Sequence, residues 1–323
     1  MTTSPNLSEI VTTTLRNRSK KLADNITNNN AILRKLSSRG NVSTFSGGRT
    51  IVQELEYAEN ATYTRYSGYE VLDISPSDTF TAAEFNIKQA AVAVSISGLE
   101  QLMNSGPEAV IDLLSSRVKN GEKTMQNGIT LDMYSNGTAS SSKQIGGLQL
   151  LVADAPAAGV VGGIDRANFS FWRNISSTVS AFSVTNALSS MQALWVQLVR
   201  GNDGPDLIIQ DNNHFQTYWS ALQAQQRFTK EGGSEASGGF TSLMFNNVPV
   251  ILDGGVGTNC PAFHTYMLNT DYIFFRPHAD RNFVPIGDDR FSVNQDAMVK
   301  LIGFAGNMTL SNGRLQGVLS STT

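Results

Sequence analysis

One long helical stripe constrains this chain more than any other feature. Val110, Leu114, Val118, Met125, Ile129 and Met133 line one face between Gly106 and Tyr134. Pro107 suits a first helical position and Glu108 the first turn, while Asn136-Gly137 supplies a stop. The pattern predicts a helix of about 28 residues, or ~42 Å at the α-helical rise. Gly121 and Gly128 either weaken it or let another element approach closely. A rod of that length serves as a backbone along which other elements lie.

The two segments upstream of it differ in charge. Residues 1–49 hold eight cations (Arg16, Arg18, Lys20, Lys21, Arg34, Lys35, Arg39, Arg49) against Glu9 and Asp24, a balance of +6. Residues 50–84 hold seven acids (Glu54, Glu56, Glu59, Glu70, Asp73, Asp78, Glu84) against Arg65, a balance of −6. In the basic segment, Leu7, Val11, Leu15, Leu22, Ile26, Leu33 and Leu36 recur at near-helical spacing, broken at Asn28–Asn30 and ended by Gly40 or Gly47-Gly48. That stripe packs either on its own domain or, as an arm, on another subunit. Residues 50–75 read as extended, with Tyr57, Tyr63, Tyr66 and Tyr69 in a Thr- and Glu-rich run punctuated by Gly68 and Pro76. A second extended run, Phe80 to Ile96, alternates Val92, Val94 and Ile96 with Ala93, Ser95 and Ser97. Two long strands joined by an acidic tip form a hairpin, and the tip has too few large aliphatics for a core of its own.

Beyond residue 138 the texture is mixed α/β. Leu148 to Val152 reads as a short strand, Phe169, Phe171 and Trp172 as an aromatic cluster, and 183–200 as a helix with Leu188, Met191, Leu194, Trp195 and Leu198 on one stripe. Asp206 to Gln210 is a buried-strand pattern, followed by a helix over 211–228 capped by Asp211 or Asn212. Residues 232–239 (GGSEASGG) read as a flexible loop, 248–252 and 271–275 as strands, and Ala297 to Leu310 as a long strand turning at Ser311-Asn312-Gly313 into LQGVL. The Gly-rich loop lacks the GK[ST] ending of a phosphate cradle.

The search for chemistry yields little. The histidines His214, His264 and His278 show no metal-ligand spacing. Cys260 and His264 are four apart and could form a nucleophile–base pair, although Pro261 argues against a helix there. The competing reading is a structural thiol and a surface imidazole. Asp288, Asp289 and Asp296 lack Ca²⁺-loop spacing and read as surface acids. No catalytic residue, cofactor or metal ligand is expected.

The chain has 323 residues, enough for one large domain or two modest ones. Only 16% are charged, which is low for a free enzyme and suits a surface covered by partners. The net charge of −3 lacks the basic excess of a dedicated nucleic-acid binder. A single cysteine excludes an internal disulfide, and no secretory signal or membrane span is expected.

The order of these parts resembles the tailed-bacteriophage major capsid protein family. AAVAVSISGLEQLMNSG resembles that family's return from its extended loop into the spine helix, and GGIDRANFSFWRN the phrase that opens its axial domain. PDLIIQDNNHFQTYWSALQAQQRF, MFNNVPVILDGG with YMLNTDYIFF, and MVKLIGFAGNMTLSNGRLQGVL resemble its later strand and helix units, in the family's order, from about residue 45 to 320. The resemblance implies an α+β capsid fold: an N-terminal arm (1–48), an extended β-hairpin loop (49–97), a peripheral domain with its spine helix (98–143), a mixed α/β axial domain (144–287), a peripheral-domain strand (288–314) and a return to the axial domain (315–323).

It further implies a subunit that self-assembles into pentamers and hexamers of an icosahedral head around double-stranded DNA, built in the bacterial host cytoplasm and kept in the virion. The expected partners are other copies of itself, a separate scaffolding protein, a portal, a decoration protein and nonspecifically held DNA, with no membrane. The short arm departs from relatives that carry a cleaved scaffolding extension. The absence of lysine between residues 50 and 87 departs from those with Lys–Asn cross-links, so a noncovalent shell is expected. The expected inter-subunit contacts are Arg16, Arg18, Lys20 and Lys21 on the arm, and Glu54, Glu56, Glu59, Tyr63, Arg65 and Tyr66 on the hairpin. An encapsulin-type compartment and a Cys-dependent hydrolase are the alternatives.

Overall fold

A computed structural model describes residues 31–103, 113–223, 243–253, 259–287, 290–291 and 296–322. The expected arm residues before 31, the start of the long helix at 106–112, the loop at 232–239 and Asp288-Asp289 lie outside them. The first described element is a helix, α1 (Ala31–Arg39). The hairpin follows as β1 (Thr50–Glu56) and β2 (Phe80–Asn86), paired antiparallel from Thr50↔Asn86 to Glu56↔Phe80. A separate strand, β3 (Lys88–Ser97), leads through α2 (Gly98–Met103) to the spine helix α3 (Leu113–Asp132).

The mixed block contains α4 (Leu148–Leu151), a small hairpin β4 (Val160–Val161) and β5 (Ile164–Asp165), then β6 (Ile175–Val179), α5 (Ala187–Leu198), β7 (Leu207–Gln210) and α6 (Asn212–Gln223). It continues with β8 (Leu243–Phe245), β9 (Val248–Leu252) and β10 (His264–Leu268). The chain then forms β11 (Ile273–Pro285), β12 (Arg290–Phe291), β13 (Ala297–Leu310) and β14 (Gly317–Ser321).

Two larger sheets organise these parts. One is six-stranded, in the order β6-β14-β10-β7-β9-β8. Strand alternation splits its residues between two cores. Ile208, Met267 and Leu319 join Met191, Leu194 and Leu198 of α5 on one face. Leu207, Ile209, Tyr266, Leu268 and Val318 join the larger core on the other. In the second sheet β13 is central: β3 lies on one side over 88–97, and β11 and β12 lie on the other. The spine helix packs on β3. A side-chain carbon on Gly121 would lie 2.9 Å from Val94, so glycine is what permits this approach. Met125, Ile129 and Met133, the expected stripe, are buried in the larger core.

Several expectations are corrected. Residues 148–152 form the helical turn α4 rather than a strand, because Leu148 and Leu151 are both buried at a spacing of one turn. The run from Phe80 to Ile96 is two strands, not one; β2 pairs with β1 whereas β3 pairs with β13. The first extended run ends at Glu56, and residues 57–79 form an irregular loop. Strands also form where none was expected: β4 and β5, β6, β8, β12, and β10, which occupies the His264 region. Of the two readings left open for the arm, its described part follows the first: Leu36, with Ile32 beside it, is fully buried in the subunit's own core.

Candidate assembly surfaces

The hairpin ribbon has two unlike faces, fixed by its register. Ile51, Leu55, Ala83 and Phe85 point inward and are buried in the subunit's own core. The hairpin base is therefore completed within its own subunit. On the outward face stand Val52↔Glu84, Glu54↔Ala82 and Glu56↔Phe80. Val52 is 53% exposed and Phe80 74%, standing at the two ends of this face across from Glu84 and Glu56, with Glu54 between them. This is an acidic patch with an apolar contact at each end.

The loop beyond carries a second patch. Tyr63 is 78% exposed, Tyr66 65% and Ile74 92%, with Glu59 and Arg65 also exposed. The loop is shaped by local turns: Asn60 Oδ1 accepts from the Thr62 amide at 3.0 Å, and Asp73 Oδ1 from the Ser75 amide at 2.9 Å. The Arg65 guanidinium sits 5.6 Å above the Tyr63 ring. Aromatic and aliphatic side chains held out in this way mark an interaction surface. Of the expected contacts, Tyr63, Arg65 and Tyr66 are exposed here; Tyr69, named in the same run but not as a contact, and Val71 and Ile74, not singled out in the sequence, are exposed beside them.

Arg16, Arg18, Lys20 and Lys21 lie outside the described residues. Of the later arm cations, two are used within the subunit. Arg39 pairs with Asp206 at 3.0 Å and with Asp271 at 3.3 Å, and Lys35 Nζ reaches Asp206 at 3.4 Å. Beyond α1 the chain runs parallel to β11; Ser43 N donates to Phe275 O and Phe45 N to Pro277 O. The arm is thus stitched onto its own subunit through residue 45.

The Cys260 and His264 pair does not form an activated nucleophile. Burial, and then the nearby carboxylates of Asp211 and Asp253, push the Cys260 thiol far up. His264 is turned to other partners: Nδ1 lies 2.6 Å from Ala262 O and Nε2 3.0 Å from Asp154. Burial alone would lower its pKa, but the bonds to Asp154 and Ala262 outweigh this and raise it. Cys260 instead borders a buried polar node, in which Tyr134 Oη donates to Asp253 Oδ2 and Asn259 Nδ2 approaches Asp253 Oδ1 at 3.4 Å. Burial raises the Asp253 pKa. Among the described residues no cluster of His, Cys, Asp or Glu could hold a metal, and no helix is long and apolar enough to cross a membrane.

No protein-family model matches the chain, and no curated protein does. Solved structures do. The chain is similar to the cyanophage A-1(L) capsid asymmetric unit, with a TM-score of 0.65 and 15% identity over 94% of this chain and 96% of that one. It is similar to the capsid of an empty GTA particle, with a TM-score of 0.63 and 10% identity over 96% of each chain. The SrpI encapsulin complex of Synechococcus elongatus PCC 7942 matches at a TM-score of 0.56 and 8% identity, over 93% of this chain and 91% of that one. These likenesses define the class: the chain has the tailed-phage capsid fold, which an encapsulin shell subunit shares. The α+β fold expected from the sequence is the one observed, nearly end to end.

Proposed function

We propose that this chain is a major capsid protein whose pentamers and hexamers close an icosahedral phage head around double-stranded DNA. The reading is carried by one conjunction: near-complete fold likeness to capsid subunits, together with a hairpin whose outward face and loop present apolar and acidic groups to a partner. Likenesses to phage capsids run from a TM-score of 0.54 to 0.65, a range that includes the encapsulin's 0.56, and the preference for a virion protein over a cargo compartment rests on the phage and GTA likenesses that lie above it. A scaffolding protein, a portal, a decoration protein and nonspecifically held DNA are the further partners this role entails.

Within that shell, Glu54, Glu56 and Glu59 meet basic residues of an adjacent copy, with Arg16, Arg18, Lys20 and Lys21 of its arm as the partners. Each exposed pair is worth only about 0–1 kcal/mol, so these charges select register more than they hold the shell. Tyr63, Arg65 and Tyr66 add apolar and cation–π contact. The test is electron microscopy of purified wild-type protein beside a variant with Glu54, Glu56 and Glu59 changed to Lys. The expected result is uniform hollow shells for the wild type and a loss of yield for the variant. Charge reversal with unchanged yield and salt response would refute the electrostatic contact, and wild-type protein that never closes would refute the shell.

A further inference from the structure

The hairpin base is seated by its buried inner face and by bonds from Asn307 Nδ2 to Asn86 O at 2.8 Å and from Arg276 to Gln53 Oε1 at 3.1 Å, and the outer edge of β2 makes one backbone bond to another element. Tyr57 N donates to Thr79 O, which sets the bonded pairs of the ribbon at 57↔79, 55↔81, 53↔83 and 51↔85. The amides of Ala82 and Glu84 consequently point away from β1, toward the outer edge of β2. Among the described residues, the Glu84 amide meets a backbone acceptor there, Gly162 O at 2.9 Å, whereas the Ala82 amide has none. Gly162 is the turn of the β4–β5 hairpin, with φ of +58°. A side-chain carbon on it would lie 2.9 Å from Ala83 Cβ and 3.0 Å from the Phe85 ring. Only glycine both adopts this conformation freely and seats against the ribbon.

That turn is itself rigidly held. Trp172, 1% exposed, donates from Nε1 to Val161 O at 2.9 Å. Arg166 is also 1% exposed and donates to Leu150 O at 3.1 Å and to Leu151 O, the last carbonyls of α4. Among the described residues no carboxylate pairs with it, and burial lowers its pKa to about 10. Arg173 then donates to Arg166 O at 2.5 Å and Ala167 O at 2.6 Å. The two terminal nitrogens of the Arg166 guanidinium bond to backbone carbonyls, while its buried Nε has no partner among the described residues; such a group contributes little net stability, but its planar fork fixes direction.

We propose that residues 159–173 form a bracket, with Gly162 as its contact and Arg166 and Trp172 as its anchors, that sets the angle at which the hairpin leaves the subunit. The proposal rests on the shell reading, since that angle matters where the same contact must repeat until a surface closes. The inner face of the ribbon stays seated through Ile51, Leu55, Ala83 and Phe85, so a ribbon freed at Glu84 loses its edge support and presents its outward face at a wider spread of angles. Gly162 is thus a positioning residue for assembly.

Two measurements test this. In the isolated wild-type subunit, residue-resolved hydrogen exchange should show the Glu84 amide protected at least ~10-fold over Ala82, and Gly162→Ala should abolish the difference. Shells from Gly162→Ala should be fewer and dispersed in diameter by electron microscopy, while Val160→Ala, an exposed site on the same small hairpin, leaves diameter unchanged. Should Gly162→Ala fail to fold, Trp172→Phe removes the anchor bond to Val161 O and should give the same dispersion. Equal exchange at Ala82 and Glu84 in the wild type, or variant shells of wild-type yield and uniform diameter, overturns the bracket. If wild-type protein forms no shells at all, the shell reading fails, and with it the bracket's role in assembly; the exchange contrast then reports only whether the contact exists.

Discussion

Replacing Tyr134 by phenylalanine removes one oxygen, and its effect can be worked from the structure. Tyr134 is 2% exposed and Asp253 6%, and the phenol is the carboxylate's nearest hydrogen-bond donor; Asn259 stands farther off at 3.4 Å. Losing a buried hydrogen bond to a charged acceptor, and leaving that acceptor under-satisfied, costs roughly 2–3 kcal/mol. For a chain of 323 residues that corresponds to a fall in Tm of about 3–4 °C. The pH dependence has a definite sign. Burial already raises the folded pKa of Asp253, so the native state takes up a proton more readily than the unfolded chain, and this group's contribution to stability falls as pH rises between the two values. Without Tyr134 the folded pKa rises further. The deficit of Tyr134→Phe should therefore be largest near pH 7 and shrink toward pH 5. Melting curves at the two pH values, followed by circular dichroism, measure it. An unchanged Tm at pH 7, or a deficit that grows on acidification, would show that the Tyr134–Asp253 bond does not act as described.

Two further outcomes follow from burial. Removing residues 1–30 should leave a stable subunit that assembles poorly, whereas removing 1–40 deletes Ile32 and Leu36 from the core; each buried aliphatic is worth about 2–5 kcal/mol on truncation, so the longer deletion should lower Tm steeply or prevent folding, as thermal melts of the pair would show. Cys260 should react with a thiol reagent only as the protein unfolds, and Cys260→Ala should still assemble; rapid native labelling would contradict its buried, high-pKa setting.

Long, strongly patterned elements were legible in the sequence. The strand expected from Ala297 to Leu310 has those bounds in the structure, because its apolar run is too long to be a loop and is buried over most of its length. The stripe of Met125, Ile129 and Met133 told which side of the spine helix is buried. It could not tell what covers a stripe, and for that reason α1 was open between its own core and a neighbour's. Ile87, which separates β2 from β3, sits in an unbroken strand-like run, and only the change of pairing partner reveals the division. Residues 148–151 are too few for periodicity to distinguish a turn of helix from a strand. At the assembly surface the acids and tyrosines were visible as residue types. The bracket was not, because its parts are backbone groups of Gly162, Leu150 and Leu151 brought together by the fold.

The break at Ile87 also has a mechanical meaning. A pull on the hairpin enters β3 at Lys88, and β3 is paired with β13 along ten consecutive residues, from Lys88↔Gly306 to Ser97↔Ala297. Tension directed along that strand loads these pairs side by side, in shear, instead of peeling them one after another. The joint between loop and body is built like a lap seam, with the force spread over its whole length and carried directly to the sheet on which the spine helix lies.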